Sequence, residues 1–288
     1  MNVIKLWGGL GNQLFQFIFG EYIKLKTGKE IFYEVGWFKS QTDLDLYDYK
    51  YFELSKLNFN LPITDSVFFE NLRNKVSISR KSFLLRSMVF DYQNFFLPVS
   101  ENLFNRYPQT INLFPRKYFV GYWQNNKYLN SLNYNFIDFI RIKSNHKNIE
   151  TNPLTQKILN SNSVSLQVRR GDYLNVEAEP HMICDNKYYK RAIDLLNNKV
   201  GDIELFIFSD DIEWCKRNIS VQENQFFIEP NLSNPFADIY LMSLCKHNII
   251  VNSTFGWWGA ALNNNPTKIT ISPKIWDHPL NLKEMIKV

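Results

Sequence analysis

Cysteine is scarce in this chain: three residues in 288, Cys184, Cys215 and Cys245, odd in number and far apart. No two of them have the spacing of a zinc-ligand pair, and a scattered, odd set is not a disulfide framework. They read as reduced structural thiols of an intracellular protein. Histidine is nearly as rare. His146, His181, His247 and His278 stand too far apart in sequence to suggest a zinc site or a nucleophilic triad. No apolar run approaches the roughly 20 residues that cross a bilayer. No charged head with a small-residue cleavage site precedes the first strand-like run, so no targeting segment is expected. These absences point to a soluble cytoplasmic protein.

What is present fits a folded enzyme-sized chain. The hydrophobic fraction is 45% and the aromatic fraction 16%, far from a disordered composition. The length suits one large or two small domains. The net charge of +5 is uneven. Residues 1–150 hold nineteen Lys/Arg against thirteen Asp/Glu, and the remainder fourteen against fifteen. The surplus is densest in "FFENLRNKVSISRKSFLLRSMVF" (68–90), with five basic residues and one acid among large apolar ones. A solvated helical face explains this stretch. So does peripheral contact with anionic lipid headgroups on the inner face of a membrane. One short cluster without a recognisable module does not suggest nucleic-acid binding.

The order of elements is clearest at the two ends. "NVIKLW", "GGLG", "NQLFQFIFGEYIKLKTG" and "EIFYEV" read as strand, tight turn, helix and strand, with Gly28 where a helix stop is expected. That β–α–β order predicts a parallel sheet. Residues 40–150 are harder to read, apart from a buried strand expected across "YFVGYWQ" (118–124). An Asn/Ser-rich stretch at 144–163 marks the expected boundary, giving domains 1–153 and 154–288. Beyond it, strands and helices alternate regularly from "SVSLQV" to "KITISP". This predicts a second doubly wound α/β domain.

In such sheets ligands bind beyond the carboxyl ends of the strands. Three strand ends carry candidate chemistry. "VRRGDY" places Arg169 and Arg170 after an apolar strand. Asp172 could pair with one guanidinium, leaving the other to hold an anion. "FSDD" offers Asp210 and Asp211, either as helix caps or as acceptors for a nucleobase or ribose. "VNSTFGWWG" brings Asn252, the hydroxyls of Ser253 and Thr254, and the amides of a helix start near Phe255. These suit an anion or simple N-capping. "GGLGNQ" lacks the Lys-Ser/Thr ending of a phosphate-binding loop and the third glycine of a dinucleotide fingerprint. Glu34 lies near the position of a ribose-binding acid. "DLD", with Asp43 and Asp45, matches a metal-dependent sugar-transferase pattern but sits in an expected loop.

"GGLGNQLFQF", "VRRGDY", "FIFSDDIEWCK" and "PFADIYLMSLCKHNIIVNSTFGWWGAAL" together, in this order, resemble the bacterial α-1,2-fucosyltransferases of glycosyltransferase family 11. The resemblance implies a GT-B architecture, two Rossmann-like domains facing across a cleft. The first would bind mainly the acceptor and the second GDP-β-L-fucose. It also implies inverting transfer to the 2-hydroxyl of a terminal β-galactoside, which could be a lipid-linked oligosaccharide, in surface-polysaccharide synthesis. No metal and no cofactor would be needed, GDP-fucose being a substrate. Carried onto this chain, it assigns donor binding to Gly9, Gly11, Asn12, Gln13, Gln167, Arg169, Asp172, Asp210, Asp211, Asn252, Ser253, Thr254 and Phe255. Arg169 would be the principal group stabilising the leaving group, and Arg170 would share that task or hold the loop with Asp172. Glu34, Asp43 and Asp45 are candidates for the general base. The family pattern reads His-x-Arg-Arg-Gly-Asp, whereas this chain has Gln167 at the His position. A glutamine positions but does not titrate near neutrality. Another linkage or nucleotide sugar, and a sugar- or nucleotide-binding protein without catalysis, remain open.

Overall fold

The computed structural model describes residues 1–39, 52–57, 61–64, 96–109, 115–132, 149, 152–171, 184–219, 224–275, 280–282 and 285–288. The chain divides into two compact units, one formed by Met1–Ser55 and Phe59–Tyr134, the other by Asn135–Val288 with Lys56–Asn58.

The first unit opens as its sequence suggests. Strand β1 (Asn2–Lys5) runs into helix α1 (Leu10–Thr27) and strand β2 (Ile31–Glu34). Gly28 ends α1 at φ 64°, and its N–H closes on the Lys24 carbonyl, the left-handed stop for which glycine is suited. A single turn, α2 (Gly36–Lys39), precedes β3 (Ile63–Thr64), β4 (Leu97–Ser100), α3 (Glu101–Arg106), β5 (Lys117–Val120) and α4 (Asn126–Asn130). The sheet order is β3-β2-β1-β5-β4, and every pairing is parallel. The strand expected across 118–124 stops at Val120 because the chain turns away at Gly121 and Trp123 takes a positive φ of 57°, which no strand residue adopts. Phe19 of α1 stacks on Trp123 at 3.6 Å and meets Phe104, Phe119 and Tyr128 edge-on.

The second unit follows the expected alternation. It contains α5 (Pro153–Asn160), β6 (Ser163–Val168), α6 (Asn186–Val200), β7 (Glu204–Ser209), α7 (Ile212–Asn218), β8 (Gln225–Ile228), α8 (Pro235–Leu244), β9 (His247–Ile249), α9 (Thr254–Ala261), β10 (Thr270–Ser272) and β11 (Met285–Lys287). The parallel sheet has the order β11-β10-β9-β6-β7-β8. Part of the Asn/Ser-rich stretch around the expected boundary is therefore not linker. Asn152 caps α5 through Leu154 N, Pro153 fills its first turn, and Ile158 is fully buried. β11 is an addition that the sequence pattern does not announce.

Both faces of this sheet are covered. Val164, Leu166 and Val168 of β6 and Leu205 and Ile207 of β7 pack against Tyr188, Tyr189, Ala192, Ile193 and Leu196 of α6. Phe206 and Phe208 turn to the opposite side, with Leu241 and Met242 of α8 and Ile158 of α5. This period-two division is what a doubly wound sheet requires. β6 carries Ser163, Ser165 and Gln167 on its other face, all buried. Their polar groups are matched locally: Asn248 donates to Ser165 Oγ at 2.7 Å, and Lys246 N donates to Ser163 Oγ at 3.1 Å. The three cysteines are free and buried, and burial pushes the Cys215 thiol up to about 11.

Asp238, in the first turn of α8, is a buried carboxylate that accepts a hydrogen bond from Asn231 N at 3.0 Å. Burial raises its pKa from the ordinary 3.8 to about 6. Between those values the folded chain keeps a proton that the unfolded chain releases. Stability therefore falls as pH rises, and the penalty is complete above pH 6. Asp238→Asn keeps an acceptor for Asn231 N and removes the penalty. Urea midpoints should show a gain of up to about 3 kcal/mol at pH 8 and a much smaller one at pH 4.5.

Candidate active site

The carboxyl ends of β6, β7 and β9 lie side by side in the second unit. Val168 is opposite Ser209, and Leu166 is opposite Ile249. The register thus gathers three of the motif stretches, 169–171, 210–211 and 250–255, at one sheet edge.

Both guanidiniums are compensated, and by the neighbouring strand. Arg169 Nη1 pairs with Asp210 Oδ2 at 2.9 Å. The same carboxylate accepts the backbone N–H groups of Arg170 (2.9 Å) and Gly171 (3.0 Å). Asp210 therefore clamps both the turn and the side chain that projects from it. Arg170 is held differently: its Nε contacts Asp211 Oδ2 at 3.3 Å and its guanidinium lies 3.9 Å from the Trp214 ring centroid. That cation–π contact and its limited exposure make Arg170 a fixture of the loop. Asp211 also caps α7 by accepting from Trp214 N at 3.0 Å. Asp172, the partner that the sequence suggests for one arginine, lies outside the described residues. The partners found are Asp210 and Asp211, which the sequence offers either as helix caps, as Asp211 proves to be, or as acceptors for a nucleobase or ribose. Their oxygens are engaged by this loop, and the signal for it was only that two acids end the strand after the one that carries two arginines.

The third strand end is also internally bonded. Ser253 caps α9, its Oγ accepting from Phe255 N at 3.3 Å, while Ser253 N donates to Val251 O at 2.6 Å. Two of the amides expected to cradle phosphate are thus already engaged. The Ser253 hydroxyl keeps its own hydrogen to donate, and Thr254 opens the helix. Asn252 is buried and donates to Ile275 O at 3.1 Å. It supports the loop from behind, as does Gln167. Gln167 is buried, with Oε1 accepting from Val251 N at 3.5 Å, and its carboxamide occupies the space that a β-carbon at Gly256 would need. Gly256→Ala should therefore cost about 1–3 kcal/mol in urea unfolding. Gln167→Ala introduced with it should return a good part of that loss, a non-additive cycle that two unrelated sites would not give.

In the first unit the glycine turn is built around Gly8. Its φ is +76°, and a β-carbon there would come within 2.8 Å of Asn12 Nδ2. Gly9 is extended, φ −70° and ψ 171°, and its carbonyl accepts from Asn12 N and Gln13 N at the start of α1. Gln13 is fully buried, donating to Gly8 O at 2.8 Å and accepting from Leu54 N at 3.2 Å. It braces the turn from within, which withdraws its amide from any ligand. Asn12 Oδ1 accepts from Gln124 Nε2 at 2.8 Å. Glu34, a base candidate, is buried at the end of β2. Its two oxygens accept from Gly36 N (2.6 Å) and from the Tyr118 hydroxyl (2.9 Å). This joins β2 to β5 and gives Glu34 a structural task. The other two base candidates, Asp43 and Asp45, and the basic stretch 68–90 lie outside the described residues. Among the described residues no group of three or more His, Cys, Asp or Glu converges as a metal site would, and no helix is long and apolar enough to cross a membrane.

Comparison with known proteins adds the decisive observation. The model of the family described as Glycosyl transferase family 11 matches residues 2–287. The chain belongs to that family. This family 11 glycosyltransferase is 32% identical over 290 residues to an Alpha-1,2-colitosyltransferase of Escherichia coli, covering 95% of the chain and 91% of that protein. It is 32% identical over 108 residues to the Galactoside alpha-(1,2)-fucosyltransferase 1 of Homo sapiens, covering 36% of the chain and 30% of that protein. Among solved structures, the fucosyltransferase NodZ from Bradyrhizobium aligns over 90% of the chain and 92% of its own length, at 10% identity and a TM-score of 0.49. The expectations of family and of enzyme class therefore hold: the chain is a glycosyltransferase related to α-1,2-fucosyl- and colitosyltransferases.

Proposed function

We propose that this glycosyltransferase moves L-fucose from GDP-β-L-fucose to the 2-hydroxyl of a terminal β-galactoside, with inversion and without a metal ion. In this reading the units adopt a GT-B arrangement, the second holding the donor and the first the acceptor. The observation that supports it most directly is the Arg169 guanidinium, fixed by Asp210 at the carboxyl end of β6. Departure of GDP adds negative charge to the pyrophosphate, and a preorganised cation meets that charge without reorganising. Arg169 takes the leaving group, Arg170 and Asp210 hold the loop, and the Ser253 and Thr254 hydroxyls complete the phosphate contacts.

A second reading has a specific warrant. The relative that matches over 91% of its own length bears the name of a colitosyltransferase, so a colitosyl donor is the main alternative. Purified protein should be incubated with GDP-fucose, with other GDP- and UDP-sugars, and with a panel of β-galactosides. Chelator should be present, and linkage analysis should follow. Fucose on the galactose 2-hydroxyl in EDTA upholds the proposal. Transfer only from another donor, to another hydroxyl, or only with added manganese overturns it.

A further inference from the structure

An aromatic pair stands at the carboxyl edge of the first unit's sheet. Trp7 follows β1, and Tyr122 follows β5, the strand beside it. Their rings are stacked, with centroids 4.1 Å apart and planes at 19°. Tyr122 is 39% exposed and Trp7 is half-buried.

The loop that presents Tyr122 is held from several sides. Glu101 Oε2 accepts from Tyr122 N at 3.1 Å and from Trp123 N at 3.0 Å. Trp7 Nε1 donates to Gly121 O at 3.3 Å. Trp123 is fully buried on Phe19. It is also the only non-glycine with positive φ among the described residues, at 57°. A bulky residue keeps that conformation only where its surroundings over-determine it, as they do at ligand sites. With Trp123 as the buried anchor, Tyr122 is left facing outward over Trp7. Gln124, two residues beyond Tyr122, donates to Asn12 Oδ1 at 2.8 Å, and the Lys5 ammonium lies 5.1 Å from the Trp7 ring centroid.

An exposed aromatic face beside amide and ammonium groups suits a pyranose. Galactose has its axial 4-hydroxyl on one face and turns the C–H bonds of C3, C4 and C5 to the other, which can lie flat on a ring while the hydroxyls reach polar neighbours. We propose that the outward face of Tyr122, backed by Trp7, is a stacking subsite for a galactose ring of the acceptor. This rests on the reading of the first unit as the acceptor unit.

Tyr122→Ala should raise the acceptor KM about tenfold. The donor KM and the slow hydrolysis of donor without acceptor should stay within about twofold, and Tyr122→Phe should behave as wild type. An unchanged acceptor KM, or a donor KM that rises in step as nucleobase stacking would require, overturns the proposal. Lactose titrated into wild-type protein without donor should change tryptophan emission, and Trp7→Phe should lose that change. An equal response in both overturns it, and this comparison decides the matter if Tyr122→Ala does not fold. Failure of the wild type to fucosylate any galactoside would refute the functional reading, whereas lactose binding at Trp7 would still uphold the subsite.

Discussion

Arg169→Ala is expected to lower kcat by about 10²–10³-fold, the usual cost of removing one preorganised donor from a developing charge. The fold should survive, because Asp210 retains the Arg170 and Gly171 amides as partners. Arg170→Ala is the informative contrast. It removes a guanidinium stacked on Trp214 and bonded to Asp211, so its effect should appear in the unfolding midpoint as well as in turnover. Turnover with GDP-fucose and thermal unfolding, measured on both variants, separate the roles. A folded Arg169→Ala enzyme with near-normal kcat would remove Arg169 from the reaction.

The second large effect is expected at Asp210, which touches no reacting atom in the proposed mechanism. Its carboxylate is the common partner of the Arg169 side chain and of two consecutive backbone N–H groups. Asp210→Ala releases all three. Displacement of a catalytic group by about 1 Å can cost 10²-fold, and a fall of about that size in kcat/KM for the donor is expected. Asp210→Asn keeps one acceptor oxygen and should retain an intermediate activity. Asp211→Ala loses a helix cap and one contact to Arg170. It should cost about 1 kcal/mol of stability and much less activity. Equal kinetic losses in Asp210→Ala and Asp211→Ala would contradict the clamp.

The parts of this fold that could be read in advance are those where local chemistry decides the outcome. Gly28 stops α1 because the chain needs a left-handed residue there. The strands and helices of residues 163–272 show because apolar residues recur at the period of each element. The hidden parts depend on distant partners. The sequence offers Asp172 as the natural companion of the arginines, only two or three positions away, yet the partners found lie forty-one residues on, chosen by strand register. Nothing local reveals that Gly256 and Val251 will close over Gln167. The outward turn of Tyr122 was equally invisible, since it follows from Glu101 and Phe19, neither adjacent in sequence.

The central strand of the second sheet has a kinetic consequence. β6 is flanked by β7 and by β9, and Ser165 meets Asn248 eighty-three residues further along the chain. No hairpin can form this arrangement early. Contacts of such long range raise the entropic cost of reaching the folding transition state and slow the search. The backbone edge of β6 stays unpaired until α8 has crossed the sheet and β9 has joined it, so the same strand that delivers Arg169 is open to mispairing between newly made chains.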